Sequence, residues 1–123
     1  MDLIIVVRES DLANVLCSAV EGGWIKYWAR IASKCSEIRV IDAAVDPFYF
    51  QPLLPGGFWW IVDCESEGRH RYKLTAGKIR KGLIWLAKHK PQLFGECLGS
   101  DEQDADTGDA LIQASLFGEI RYG

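Results

Sequence analysis

The chain has 123 residues, 49% apolar and 25% charged, with a formal charge of −3. That is the composition of one globular domain spanning 1–123, able to bury a core without disulfides or a structural metal, and not of a disordered chain. No apolar run approaches the ~20 residues of a membrane span, the four cysteines are scattered with no CxxC pair, and no leader features open the chain. These features predict a soluble cytoplasmic protein with reduced thiols and no membrane contact.

In chain order, Leu3–Val7 is a short β-branched run and predicts a strand. Ser10-Asp11 supplies a helix start, and Leu12, Val15, Leu16, Ala19 and Val20 recur at the spacing of a core-facing helix. Gly22-Gly23 ends it, glycine adopting the left-handed C-terminal conformation at little cost. Trp24–Ile31 reads as a strand with Trp24, Lys26, Trp28 and Arg30 on one face and Ile25, Tyr27, Ala29 and Ile31 on the other; helical continuation is the alternative. Glu37–Val45 is a further candidate strand.

Asp46–Gly57, with three prolines and two glycines, reads as an irregular loop. Phe58–Glu65 and Arg69–Leu74 flank Ser66-Glu67-Gly68 as the arms of a hairpin. Thr75 caps a second helix that turns Ile79, Leu83 and Leu86 inward and Lys78, Lys81 and Lys88 mostly outward, and Pro91 closes it. Leu93, Phe94 and Leu98 continue as a short helical segment. A polar tip, Gly99–Asp106, precedes a last helix over about Thr107–Phe117. The fold class is α+β: a single antiparallel sheet of three to four strands with about three helices packed on one face.

Four stations in order carry a family resemblance. They are Glu21-Gly22-Gly23 with Tyr27-Trp28 behind it, the hairpin leading into Leu74-Thr75 and Lys81-Gly82-Leu83, Lys90-Pro91 followed by Phe94, and the ending from Asp104-Ala105-Asp106-Thr107 to Gly123. Together they resemble a family of small uncharacterised proteins encoded by phages and prophages. The resemblance implies a mobile-element origin and lends no catalytic residues. Gly108 departs from the family pattern where a better helix former is expected, at up to ~1 kcal/mol relative to alanine.

The densest chemical feature is aromatic: Trp24, Tyr27, Trp28, Phe48, Tyr49, Phe50, Phe58, Trp59 and Trp60. Strand alternation sends Trp59 and Trp60 to opposite faces, so at least one needs a cover besides the main core. Either the loop Phe48–Leu54 covers it or a partner does, since Trp and Tyr are favoured interface anchors. Glu21, Trp24, Tyr27, Trp28, Phe48, Tyr49, Trp59 and Trp60 are therefore the candidate partner-binding residues. Glu21 has a competing structural use, bonding a neighbour beside the Gly22-Gly23 turn.

Eight Lys or Arg and no acid lie between Arg69 and Lys90, and seven acids and no base between Gln92 and Ile120. Arg69, Arg71 and Lys73 share one strand face and form a candidate anion-binding row. Solvated surface, or pairing with the acids Asp101, Glu102, Asp104, Asp106 and Asp109, competes with that role. The negative net charge disfavours nucleic acid as a partner. The acids lack calcium-loop order, His70 and His89 join no nucleophile or metal spacing, and Cys17 and Cys97 read as core. Gln113 and Glu119 are expected to hold the C-terminus. No metal, cofactor or catalytic residue is expected.

The expectation is a non-enzymatic binding protein. The resemblance adds a phage or prophage accessory role against a host protein, with the defence role resting on origin alone. A small-ligand or nucleotide-binding module, with aromatics stacking and Arg69, Arg71 or Lys73 holding an anion, is the alternative. A homo-oligomeric structural protein, such as a homodimer, is the third.

Overall fold

The computed structural model describes residues 6–22, 24–33, 47–67, 70–98 and 105–122. Helix α1 (Glu9–Glu21) leads through a 3-10 turn, Trp24–Tyr27, to strand β1 (Ala29–Ser33). A 3-10 helix, Pro47–Leu53, precedes β2 (Phe58–Asp63) and β3 (Arg71–Thr75), and α2 (Ala76–His89), α3 (Pro91–Glu96) and α4 (Ala105–Phe117) complete the order. The three strands form one antiparallel sheet in the order β1-β2-β3. The α+β class and the single sheet stand as expected.

α1 buries Leu12, Ala13, Val15, Leu16 and Ala19, the face set by its apolar spacing. It starts earlier than Ser10-Asp11 suggests: Arg8 occupies the cap position and its guanidinium Nε bonds Asp11 at 2.9 Å. Gly22 closes the helix in right-handed conformation, φ −73°, so the left-handed role expected there does not apply to it. α2 is capped as expected, the Thr75 hydroxyl accepting from the Lys78 amide at 3.3 Å.

Three local expectations change. The strand expected from Trp24 starts only at Ala29, because residues 24–27 coil and the Trp28 amide closes on the Ile25 carbonyl at 3.2 Å. Ile25 and Trp28 are consequently both buried while Lys26 and Tyr27 face out, a spacing of three that no alternating strand produces. Asp46–Gly57 is not wholly irregular: Pro47–Leu53 is 3-10, and the chain then doubles so tightly that a Cβ on Gly57 would lie 1.9 Å from the Gln51 carbonyl oxygen. Val6 and Val7 are not in a strand, and the rest of the Leu3–Val7 expectation, with all of Glu37–Val45, lies outside the described residues.

α4 is the central element. Thr107 through Ser115 are all buried, and the helix packs against α1, α2, α3, β3 and the 24–27 turn. Two close approaches allow this. A Cβ on Gly108 would sit 2.5 Å from the Ala19 Cβ and from the Val15 carbonyl oxygen of α1, and one on Gly82 would sit 2.2 Å from the Ser115 hydroxyl oxygen. Gly108 therefore costs helix propensity but lets α4 lie directly on α1. Past α4, Gly118 takes φ +68°, which glycine does readily, and turns residues 119–122 back along the helix.

Candidate functional site

Beneath the returning C-terminus lies a buried polar cluster built from four elements. Gln113, fully buried, accepts from the Arg121 and Tyr122 amides at 2.8 and 2.7 Å through Oε1. Its Nε2 donates to the Tyr122 carbonyl at 2.9 Å and to Asp109 Oδ2 at 3.2 Å. Asp109 Oδ1 accepts from the Trp28 indole at 2.6 Å. The Trp28 ring stacks on Tyr122 at 5.4 Å, and the Tyr122 hydroxyl donates to Asp63 Oδ2 at 2.7 Å.

Asp63 ends β2 with no exposed surface, and its Oδ1 accepts from the Glu65 and Ser66 amides at 3.0 and 3.1 Å. Both oxygens of Asp63 and both of Asp109 thus have partners. Burial raises the Asp109 pKa above the usual carboxylate range, against the opposing Trp28 and Gln113 hydrogen bonds. The arrangement clamps the C-terminal segment between sheet and central helix. Gln113 serves the docking role expected of it, and Glu119 pairs with Arg121 at 3.5 Å.

Around Glu21 the geometry is also internal. The Tyr49 hydroxyl donates to Glu21 Oε1 at 2.5 Å, and burial, the Glu21 bond and nearby Cys17 all raise the Tyr49 pKa. Tyr49 meets Trp59 edge-on at 6.3 Å, and Trp28, Tyr49 and Trp59 are all buried. Those three of the eight candidate partner-binding aromatics and acids belong to the core and are not an open surface. Glu21 itself is exposed, Tyr27 is 76% exposed, and Trp60 is half-buried. The side chains of Trp24 and Phe48 lie outside the described residues.

The other face of the sheet has a different character. Alternation along β2 buries Trp59, Ile61 and Asp63 and leaves Phe58, Trp60 and Val62 half-buried on the opposite side. The register sets Lys73 opposite Trp60 and Arg71 opposite Val62 on β3, and Arg30 opposite Val62 on β1. Arg30, Arg71 and Lys73 are exposed. The Lys73 ammonium sits 4.5 Å from the Phe58 ring centroid and 5.2 Å from that of Trp60, and the Arg71 guanidinium 5.7 Å from Trp60. Arg71 and Lys73 do share a face as expected; Arg69 lies outside the described residues.

Among the described residues, Trp60 meets Phe58 edge-on at 5.6 Å and lies beneath the Lys73 and Arg71 cations. Sequence reasoning missed Phe58, Val62 and Arg30 as members of this face. Period-2 alternation with β2 in the centre was the signal available for Phe58 and Val62; Arg30 needed the β1–β2 register.

Of the acidic segment, Asp106 is exposed and Asp109 is core, while Asp101, Glu102 and Asp104 lie outside the described residues. Among the described residues no three His, Cys, Asp or Glu side chains gather as a metal site, and no helix is long and apolar enough to cross a membrane.

Fold and faces together define an α+β domain with a central helix and a sheet whose outer face mixes aromatics and cations. No protein-family model matches the chain, and no solved structure matches it. It is similar to translation machinery-associated protein 22 of the yeast Eremothecium gossypii, 40% identical over 45 residues, which are 37% of this chain and 23% of that protein. The chain thus matches less than a quarter of that relative's length. This corrects the resemblance to phage and prophage proteins: the similarity found is to a eukaryotic protein. The block at Glu21–Trp28 and the ending at Asp104–Gly123 instead hold residues that close one core, Trp28 from the first meeting Asp109 and Tyr122 from the second.

Proposed function

We propose that this protein is a non-enzymatic, cytoplasmic binding module whose ligand lies across the outer face of the sheet and carries both a flat ring and an anionic group, the chemistry of a nucleotide. The observation that carries this is the Trp60 ring flanked by Lys73 and Arg71 in a register that the strands impose. Lysine and arginine stems are long and flexible, so each cation can leave the ring for a phosphate while the base takes its place. Arg30 adds a third positive charge on the neighbouring strand.

A base stacked on an aromatic side chain contributes about 1–3 kcal/mol. With one or two charge-assisted phosphate contacts the expected Kd is on the order of 100 μM. The formal charge of −3 favours a small ligand over a polyanion, whose binding depends on many neutralised phosphates. The yeast relative's name associates that protein with translation machinery, and less than a quarter of its length is matched.

The test is titration with nucleoside monophosphates and, in parallel, a short single-stranded oligonucleotide, read by tryptophan fluorescence and NMR shifts. Saturable shifts confined to β2 and β3, lost in Trp60→Ala and weakened in Lys73→Glu with folding intact, are expected. No saturation with either probe, or binding that Trp60→Ala leaves unchanged, rejects the reading.

A protein ligand is the second reading, favoured by Tyr27 at 76% exposure on the turn preceding β1. A captured protein released by Tyr27→Ala and Trp60→Ala, with no nucleotide binding, would select it. The host protein as partner rested on the phage resemblance and falls with it.

A further inference from the structure

On the side of the molecule made by α1, α2 and α3 lies an open groove of about 480 Å³, and we infer that it binds an anionic amphiphile, a single unbranched acyl chain with a carboxylate head. Its floor is apolar: Leu12 of α1, Leu53 at the end of the 3-10 helix, Ile79 and Leu83 of α2, and Phe94 of α3. The volume falls within the range of pockets that hold small ligands.

Among the described residues the polar lining groups are few, and Glu9, Arg80 and Lys88 are all exposed. Arg80, Ile84 and Lys88 follow one another at i, i+4 and i+8, so they form a single stripe along α2 at the groove's edge. Arg80 and Lys88 are exposed, and neither makes an ion pair among the described residues. Ile84, between them, is 51% exposed, a large apolar side chain left in water at the lip. Glu9, at the start of α1, is the acid of the lining, so among the described residues the groove carries two positive charges against one negative.

That charge balance selects an anionic head over a cationic one. Eight residues of helix separate the two cations by about 12 Å, so one carboxylate engages one of them while the chain passes over Ile84 toward the far end. The site lies on the helical side of the molecule and involves no residue of the sheet's outer face.

The experiment uses the whole chain and dodecanoate below its micellar concentration, followed by calorimetry and by NMR shifts. A trimethylammonium amphiphile of equal chain length is the charge control, and an acidic amphipathic peptide the protein control. Saturable dodecanoate binding with shifts in α1, α2 and α3 is expected, at least about tenfold tighter than the cationic control. Ile84→Glu, an exposed position that leaves the core alone, is expected to weaken binding about tenfold or more. Either Arg80→Glu or Lys88→Glu is expected to weaken it too, identifying the end that holds the head group. The inference is overturned by no saturable dodecanoate binding, by equal binding of the cationic amphiphile, or by indifference to Ile84→Glu. Binding of the peptide in place of dodecanoate also overturns it and assigns the groove to a protein.

Discussion

The indole N–H of Trp28 donates to the buried carboxylate of Asp109 at 2.6 Å, across 81 residues of chain. This bond ties the turn before β1 to the central helix, and the same indole stacks on Tyr122, which reaches Asp63 at the end of β2. One aromatic pair therefore joins the buried acid at the end of β2 to the buried acid of α4. Hydrogen bonds to charged groups contribute more than neutral ones, and a carboxylate stripped of its donor in the interior is costly.

Asp109 makes stability pH-dependent. Burial raises its pKa in the folded chain above the ordinary carboxylate value. Between those two values the folded chain binds more protons than the unfolded chain, so stability falls as pH rises through that window and levels off above it. The slope is at most about 1.4 kcal/mol per pH unit. Melting curves of the wild type and Asp109→Asn across that window are expected to differ by this slope, the variant lacking it.

Gln113 is the residue on which the C-terminal segment depends. Gln113→Leu removes the acceptor for two backbone amides and the donor to the Tyr122 carbonyl. The expected loss is about 2–4 kcal/mol by urea denaturation. Hydrogen exchange gives the sharper reading: the Arg121 and Tyr122 amides should lose protection first, while the α1 interior stays protected.

Gly108→Ala opposes helix propensity to packing. Propensity alone predicts a gain of up to ~1 kcal/mol. The added methyl would meet Ala19 and the Val15 carbonyl at 2.5 Å, and overpacking of this kind costs about 1–3 kcal/mol. Because the opposing atoms include backbone, the variant is expected to be the less stable one. Gly82→Ala, facing Ser115 at 2.2 Å, is expected to behave alike, whereas Gly95→Ala, with nothing within 4 Å, is expected to be neutral or stabilising.

Cys97 is fully buried, and burial beside Glu96 pushes its thiol up to about 12. The thiolate is the reactive form. Cys97 is therefore expected to resist alkylation at neutral pH in the folded protein and to react on unfolding, whereas the partly exposed Cys17 and Cys64 react earlier. Mass spectrometry of the labelled peptides separates them.

The elements readable in advance were those whose signal is local. Thr75 capping α2 needs only a hydroxyl three residues before an amide. The α1 core face follows from helical spacing, and the β2–β3 hairpin from alternating arms around Ser66-Glu67-Gly68. Opposite fates for Trp59 and Trp60 also follow from the two-residue period of a strand. The 24–27 turn was read as strand because Ile25, Tyr27, Ala29 and Ile31 alternate in sequence; burial of Ile25 and Trp28 together overrode that pattern.

What depends on distant neighbours was decided only in three dimensions. Asp109 looked like one acid among five on a polar tip, yet it lies inside because Trp28 and Gln113 satisfy it there. Gly108 looked like a weak helix residue, yet it is where α4 lies against α1. The amino-acid sequence by itself set the helices, the hairpin and the α+β class, since those follow from periods and caps a few residues long. The tertiary structure chose which aromatics are core, which cations stand over Trp60 and which acid is buried. The burial and pairing of these particular side chains depend on atoms brought together across the chain, which local spacing alone does not specify.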